Sequence, residues 1–423
     1  MANPDVQRAL QTIWRMEAPR LLARIARIVG DVALAEELAQ DVFVRALERW
    51  PRDGLPDQPA AWLTAVGKRL AIDHLRARAV HARKQGELAQ ELLGTQDAEW
   101  GSTNTTPVEA AEHAALGDEL LRLIFVACHP VLAIDARVAL TLRLLGGLTT
   151  AEIARAFLQP EATVAQRIVR AKRTLSEKRI PFEVPAHAAL DERVDAVLEV
   201  LYLIFNEGYS ASSGTSWARP ALCEEALRLG RVLAAQMKDS AEVFGLLALM
   251  ELQASRLPAR LDASGRPVLL ERQDRSRWDR LQITRGLQAL QRAQRLQDAP
   301  GIYTLQAAIA ACHAQARRAA DTDWRHIAAL YALLETLIAS PVVALNRAVA
   351  IGRANGPAAA LPLVEALNRD ARMQQYPWAA AAYGDLLQQL GRRDEARRAF
   401  ERAAALAGNE HDRLLMRERA DAV

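Results

Sequence analysis

Between Thr163 and Arg179 the chain carries six Lys or Arg against one Glu. Val164, Ile168, Ala171 and Leu175 recur there at helical spacing, which marks an inward-facing stripe. Thr163, Gln166, Arg167, Arg170 and Arg173 fall on the other side. Guanidinium and amide groups set out in this way can read base edges or clamp phosphates. Gln166, Arg167 and Arg170 suit either task, and Lys172 and Arg173 suit phosphates. Just upstream, Thr149 and Glu152 stand at capping-box spacing, and Ile153 and Phe157 give a short helix an apolar side. Pro160 stops that helix and is expected to open the next as its first residue. The two predicted helices form a helix-turn-helix whose second member fits a major groove. A merely solvated basic surface is the rival reading, and the neighbouring segments decide between them.

Two further charged stretches precede it. From Lys68 to Lys84 there are six Lys or Arg and one Asp; from Glu36 to Glu48 there are four acids and one Arg. Glu37, Gln40 and Asp41 share one face of a helix at i, i+3 and i+4, a surface suited to a partner bearing arginines. Leu38, Val42 and Phe43 fall on other faces, available for packing. The cationic stretch has an aromatic residue, Trp62, ahead of Lys68, Arg69, Arg76 and Arg78. Cations that hold phosphates and a plane that takes an unstacked base suit single-stranded DNA, although Trp62 reads equally as a core residue. Net charge is only +3, so attraction to nucleic acid is local rather than global.

The elements that position these residues are helical throughout. Ala, Leu, Arg and Glu dominate, and strand alternation is not convincing anywhere, so an all-α fold is expected. A first helix covers Pro4 to Val29, and Gly30–Asp31 breaks it and caps a second that runs to Trp50. The turn-rich loop from Pro51 to Pro59 leads into a third helix ending near Lys84. Residues Gly94 to Pro107 are small, polar and unpatterned, which predicts a flexible linker. The expected blocks are 5–85, a linker over 86–112, 113–180, and a helical extension over 186–423.

Composition excludes several classes. The 423 residues are half apolar and a quarter charged, a globular balance. Three isolated cysteines, Cys128, Cys223 and Cys312, argue against a disulfide framework or zinc site and for a reducing cytoplasm. No signal segment is evident, and the longest uncharged apolar run, Leu123 to Ile134, is too short to span a bilayer. No metal cluster, catalytic nucleophile or cofactor-binding loop is legible, so neither an enzyme nor a cofactor is expected. His129 and His313 are isolated and read as core or surface residues.

The segment Glu36 to Ala46 (EELAQDVFVRA) resembles the region 2.2 helix of bacterial sigma-70 factors. Trp62-Leu63 followed by Ala71-Ile72-Asp73-His74-Leu75-Arg76 is similar to the signature of regions 2.3 and 2.4 in extracytoplasmic-function sigma factors, and the helix-turn-helix resembles their region 4. The resemblance implies that Glu37, Gln40 and Asp41 meet core RNA polymerase. It implies that Trp62, Lys68, Arg69, Arg76 and Arg78 meet the promoter −10 element as its strands part. The loop Asp53 to Gln58 then corresponds to the one that accepts a flipped base. Thr163, Gln166, Arg167, Arg170, Lys172 and Arg173 would meet the −35 element. Arg69 departs from the family, which often has Asn there, and Asp73 reads as a cap or a partner for a nearby Arg.

The last 240 residues carry repeats. Ala380, Tyr383, Gly384, Leu387, Ala396, Phe400 and Ala403 follow tetratricopeptide spacing, and Ala344, Ala348, Ile351, Ala360 and Val364 copy it 36 residues earlier. Tyr202 to Ser210 (YLIFNEGYS) ends an apolar helix, with Gly208 expected as a left-handed stop. With Gln273 to Trp278 (QDRSRW), these segments resemble the subgroup of such sigma factors that bears a long tetratricopeptide-like extension. The resemblance implies control by the extension, through a protein, a ligand or the sigma domains, in place of a membrane anti-sigma factor. Two rivals remain: a conventional helix-turn-helix regulator, and a repeat scaffold or cryptic enzyme using Glu207 and Asp274 as acid and base.

Overall fold

The computed structural model describes residues 4–90, 119–157, 159–185, 187–210, 218–262 and 266–423. Among these the regular elements are all helices, with one isolated bridge between Leu261 and Pro267. The chain divides into two compact units, residues 1–155 with 159–200, and 201–423 with 156–158. None of the described helices is long and apolar enough to cross a membrane.

The first unit opens with α1 (Pro4–Val29), α2 (Val32–Asp53) and α3 (Pro59–Gln90). Gly30 takes φ +72°, and the Asp31 carboxylate accepts from the amides of Ala33 and Leu34 at 2.7 and 3.1 Å, so the break and the cap sit together. α2 runs three residues past Trp50 because its stop is Gly54, which adopts φ +86° and donates to the Trp50 carbonyl. Leu21, Ile25 and Ala26 of α1 and Leu38, Ala39, Val42 and Ala46 of α2 are buried. Gly67 of α3 is required by packing: a Cβ there would lie 2.7 Å from Leu21 Cδ1 and 3.1 Å from Ile25 Cδ1. α3 passes both its expected end near Lys84 and the expected linker start at 86. The residues Glu87 to Gln90 are good helix formers, and nothing before them but Gly86 would interrupt. The stretch Gly94 to Pro107, read as a linker, lies outside the described residues.

The second block of this unit holds α4 (described over 119–127), α5 (Ile134–Leu144), α6 (Thr150–Ala156) and α7 (Glu161–Glu177). The capping box forms: Thr149 N donates to Glu152 Oε2 at 2.8 Å, and Glu152 N donates to Thr149 Oγ1 at 3.1 Å. Pro160 is the cap of α7 rather than its first residue, since its carbonyl already accepts from Thr163 and Val164. Val164, Ile168, Ala171 and Leu175 are the buried residues of α7. α8 (His187–Tyr209) begins against this block, where Arg193 donates to the Phe125 carbonyl at 2.6 Å and Arg137 pairs with Glu199 at 3.2 Å. Cys128 beneath it is buried, which pushes its thiol up to about 11.

The second unit continues with α9 (Pro220–Gln236), α10 (Ala241–Ala254), α11 (Arg280–Leu296), α12 (Ile302–Gln315) and α13 (Trp324–Leu337). Then come α14 (Pro341–Asn355), α15 (Pro357–Arg369), α16 (Pro377–Gln389), α17 (Arg393–Leu406) and α18 (Glu410–Asp421). α14 and α16 start 36 residues apart, as do α15 and α17, and each helix packs on its successor. Ala380, Leu387, Ala396, Phe400 and Ala403 share one core cluster. Gly384 admits the Phe400 ring, whose Cε1 would lie 2.9 Å from an added Cβ. The expectation for Gly208 needs correction. It sits inside α8 without positive φ, and its lack of a side chain serves close approach instead: a Cβ would stand 2.7 Å from the Cys223 amide of α9.

Candidate nucleic-acid interface

The recognition-type helix α7 sorts its polar residues by angle from its buried stripe. At about 100° per residue, Thr163, Gln166, Arg170 and Arg173 point away from the stripe, and all four are exposed. Thr163, Gln166 and Arg170 make no side-chain hydrogen bond or ion pair with another described side chain. Arg173 is held by Glu177 at 2.6 Å, an exposed pair that solvent screens. Arg167 and Lys172 flank the stripe on opposite sides. Arg167 reaches Gln159 Oε1 at 2.8 Å and Asp135 at 3.5 Å. Lys172, expected at a phosphate, instead places Nζ 3.0 Å from Glu36 Oε2. Val169, 59% exposed among the polar residues, was not singled out from the sequence. It falls on the polar side of the helix, beside Arg173 and Gln166, as an apolar residue that a search for charged and amide groups passes over.

On α3, Trp62, Arg69 and Arg76 stand seven residues apart and therefore share a face. Lys68 flanks that face and Arg78 points to the opposite one, so the structure does not bring all five expected residues together. Lys68, Arg69, Arg76 and Arg78 are exposed. Asp73 pairs with Arg69 at 3.9 Å, the local partnership read from the sequence. Trp62 is half-buried, and its ring meets the edge of the buried Trp50 ring at 5.4 Å. One side of Trp62 is thus core and the other faces solvent.

On α2, Glu37, Gln40 and Asp41 are exposed on one face. Two apolar residues extend that face unexpectedly: Val44 is 50% and Leu47 is 37% exposed. Glu36 was not predicted to matter, yet it is 6% exposed and gathers three partners. Arg143 Nε lies 2.9 Å from its Oε1, Lys172 Nζ 3.0 Å from its Oε2, and Gln40 Nε2 3.2 Å from its Oε1. Its position beside the stripe of Ala35, Ala39 and Val42 was the available signal. Ser176 Oγ also donates to Asp31 Oδ2 at 2.7 Å.

The residues proposed for an enzyme are engaged locally. Glu207 is ion-paired with Arg219. Asp274 caps a short turn by accepting from the Ser276 hydroxyl and amide at 2.6 and 2.9 Å, which holds its carboxyl below the usual range. Gln273, Arg275 and Trp278 form a staple: Gln273 donates to the Val268 carbonyl at 3.0 Å, and Arg275 lies 4.6 Å over the Trp278 ring. Among the described residues, no group of three or more His, Cys, Asp or Glu is placed to hold a metal.

Comparison with known proteins gives these faces a common identity. The Sigma-70 region 2 family matches residues 13–80, and the Sigma-70, region 4 family matches 122–175. A family of unknown function, DUF6596, matches 193–294. An uncharacterized protein of Rhizobium meliloti (strain 1021) is 44% identical over 403 residues, covering 95% of this chain and 93% of its own length. The probable ECF RNA polymerase sigma factor SigI of Mycobacterium tuberculosis (strain ATCC 25618 / H37Rv) is 30% identical over 199 residues, 44% of this chain and 65% of that protein. The match to the crystal structure of the yeast Tom70 is 13% identical and covers 99% of this chain and 85% of that one, at a TM-score of 0.31. The matched regions occur in order and contain all three exposed helix faces, and the full-length relative includes the extension. The chain belongs to the extracytoplasmic-function branch of the sigma-70 family, in a form with a long helical C-terminal extension.

Proposed function

We propose that this sigma factor directs core RNA polymerase to promoters by engaging a −35 and a −10 element, and aids melting of the latter. The observation that carries the reading is the pairing of opposite faces within the matched regions. α2 exposes Glu37, Gln40 and Asp41, and α7 exposes Gln166, Arg170 and Arg173, while the backs of both helices are buried. An acidic face rimmed by Val44 and Leu47 suits a basic, partly apolar protein surface. A cationic face suits phosphates and guanine edges. Trp62, Arg69 and Arg76 along α3 supply a plane and cations for a strand leaving the duplex. Lys68 then serves a phosphate at the flank of that face, and Arg78, on the opposite face, is left out of this contact.

A conventional helix-turn-helix regulator has no use for the α2 face. Substituting Asp41→Arg therefore separates the two readings. The purified chain should bind core polymerase and start transcription at a promoter, and Asp41→Arg should weaken core binding by about 100-fold, a buried-rim charge reversal of ~2–3 kcal/mol. Unchanged core binding by the variant would refute the assignment of α2. The extension, on this reading, controls the sigma regions through the concave surfaces that stacked helical pairs create. A chain ending after Pro185 with unaltered promoter activity in cells would remove that role.

A further inference from the structure

The second unit holds a cavity of about 490 Å³ among α9, α10 and α11, and its wall is cationic. The residues that line it fall within 193–294, the stretch matched by the family of unknown function. α10 and α11 run antiparallel there, with Leu252 against Gly286 and Phe244 under Arg292. α11 contributes Arg285, Gln288 and Arg292 at i, i+3 and i+7, so the three share one face along ~10 Å of helix. α9 adds Arg231, and α10 adds Phe244, Leu247 and Glu251. Three guanidiniums against one carboxylate leave the wall with a net charge of +2.

Much of this polar lining is not spent on the fold. Glu251, 2% exposed, takes Nε and Nη2 of Arg231 on its Oε1 at 2.8 and 2.7 Å. Its other oxygen, Oε2, is buried and has no hydrogen-bond partner, an unmet acceptor that costs free energy. Arg285 lies at the same end of the cavity, yet it makes no hydrogen bond or ion pair with a described residue. Gln288 beside it is exposed and equally uncommitted. Arg292 is held in place, 4.7 Å over the Phe244 ring and 2.9 Å from the Lys238 carbonyl. A solvated surface arginine needs no cationic neighbour. Here three converge from two helices on a recess with an apolar floor, where like charges raise one another's energy.

We infer that this cavity binds a small organic phosphate. A phosphate monoester carries about −1.5 to −2 at neutral pH, which balances the wall, whereas one carboxylate leaves half of that charge unmet. Its oxygens accept from Arg285 and Gln288, with Arg231 and Arg292 at the sides, in the charge-assisted bonds that suit guanidinium to phosphate. The carbon body rests on Phe244 and Leu247. A hydroxyl or amino group on that body meets the vacant Glu251 oxygen, which favours a sugar phosphate or a nucleotide over a plain alkyl phosphate. The volume lies within the roughly 300–1,000 Å³ of small-molecule sites. The site goes beyond the promoter reading and stands whether or not the chain binds polymerase.

The test is calorimetric titration of the full chain, without polymerase or DNA. Ribose 5-phosphate and adenosine 5′-monophosphate are the probes, with ribose and inorganic sulfate as controls. At least one phosphate should bind with a Kd of about 0.1 mM, and both controls about tenfold more weakly or worse. Arg285→Ala should weaken that binding about tenfold. Because Arg285 is exposed and unpaired, the variant should melt at the wild-type temperature. Arg295→Ala, on the same helix but away from the cavity lining, should bind as the wild type does. Failure of both probes to bind at about 10 mM overturns the site. Sulfate that binds as tightly as the phosphates overturns the ligand class. Binding that survives Arg285→Ala, or falls equally in Arg295→Ala, lies elsewhere on the chain and overturns the assignment to this cavity. Each of these failures leaves the reading of α2 and α7 untouched, since polymerase and promoter take no part in the measurement.

Discussion

The charges singled out in the two units are used in opposite ways, the buried Glu36 cluster of the first unit excepted. In the second, several arginines and carboxylates are building material. Arg275 donates to the carbonyls of His313 and Ala316 and lies over Trp278. Arg260 lies 3.5 Å from the centre of the Tyr209 ring and donates to that residue's carbonyl. Glu242 of α10 accepts from the amides of Tyr303 and Thr304 at 2.7 and 3.1 Å, so one helix caps the N-terminus of another. In the first unit, Glu37, Asp41, Lys68, Arg76, Arg78 and Arg170 stay exposed and form no hydrogen bond or ion pair with a described side chain. Charge consumed inside a fold positions elements. Charge left in water along one helix face is available to a partner at little cost in folding stability.

The largest expected effect tests the first half of this contrast. Arg275→Met strands two carbonyls and removes the guanidinium from Trp278, and should cost the second unit about 3–4 kcal/mol. Hydrogen exchange at α11 and α12 would report it as loss of protection. Arg170→Ala should leave the same amides unchanged. Equal destabilisation by both would end the distinction between structural and available arginines.

A second test uses pH. Burial, with Arg256 and Arg275 close by, lowers His313 from 6.5 to about 4. The folded state thus binds its proton less readily than the unfolded chain. Stability from this group is fully present above about 6.5 and is lost as pH falls toward 4, with ~2 kcal/mol at stake after allowance for partial exposure. Exchange protection of α12 should fall over that window and flatten in His313→Gln. His129, also lowered to about 4 but less buried, should contribute a smaller slope in the first unit.

The contrast also explains what was legible in the sequence. Helical class, the Gly30–Asp31 break, the Thr149–Glu152 box and the α7 stripe are local: each depends on spacing within one or two turns. The repeat positions around Gly384 and Phe400 were readable because a helical hairpin repeats its contacts at a fixed period. Gly208 was misread because its reason is a neighbour, Cys223, that lies 15 residues on and across a helix interface. Glu36 escaped for the same cause: its partners Arg143 and Lys172 are 107 and 136 residues away. Lys172 looked like Arg170 in the sequence because periodicity reports an angle and not what stands at that angle.

Moving to the available charges, Arg170→Ala should weaken binding of a −35 duplex about tenfold, or ~1.4 kcal/mol. If Arg170 meets a phosphate instead of a base, the loss should be equal across sequences, with the salt dependence shallower by about 0.9 per contact. Arg173→Ala should lose less, because Glu177 already occupies that guanidinium. A larger loss at Arg173 would show that an internal pair does not reserve a side chain.

The smallest effect probes a carboxylate that is exposed in the second unit and still structural. Asp274 makes its bonds within two residues, to Ser276, and so caps a turn rather than facing a partner. Asp274→Ala should cost about 1 kcal/mol, as loss of a cap does, and Asp274→Asn close to nothing because the amide oxygen still accepts. Both variants should retain wild-type transcription. If Asp274→Asn abolished activity while stability held, the charge itself would be required. Exposure with a local partner would then no longer mark a residue as architecture, and the division of labour between the two units would have to be redrawn around that site.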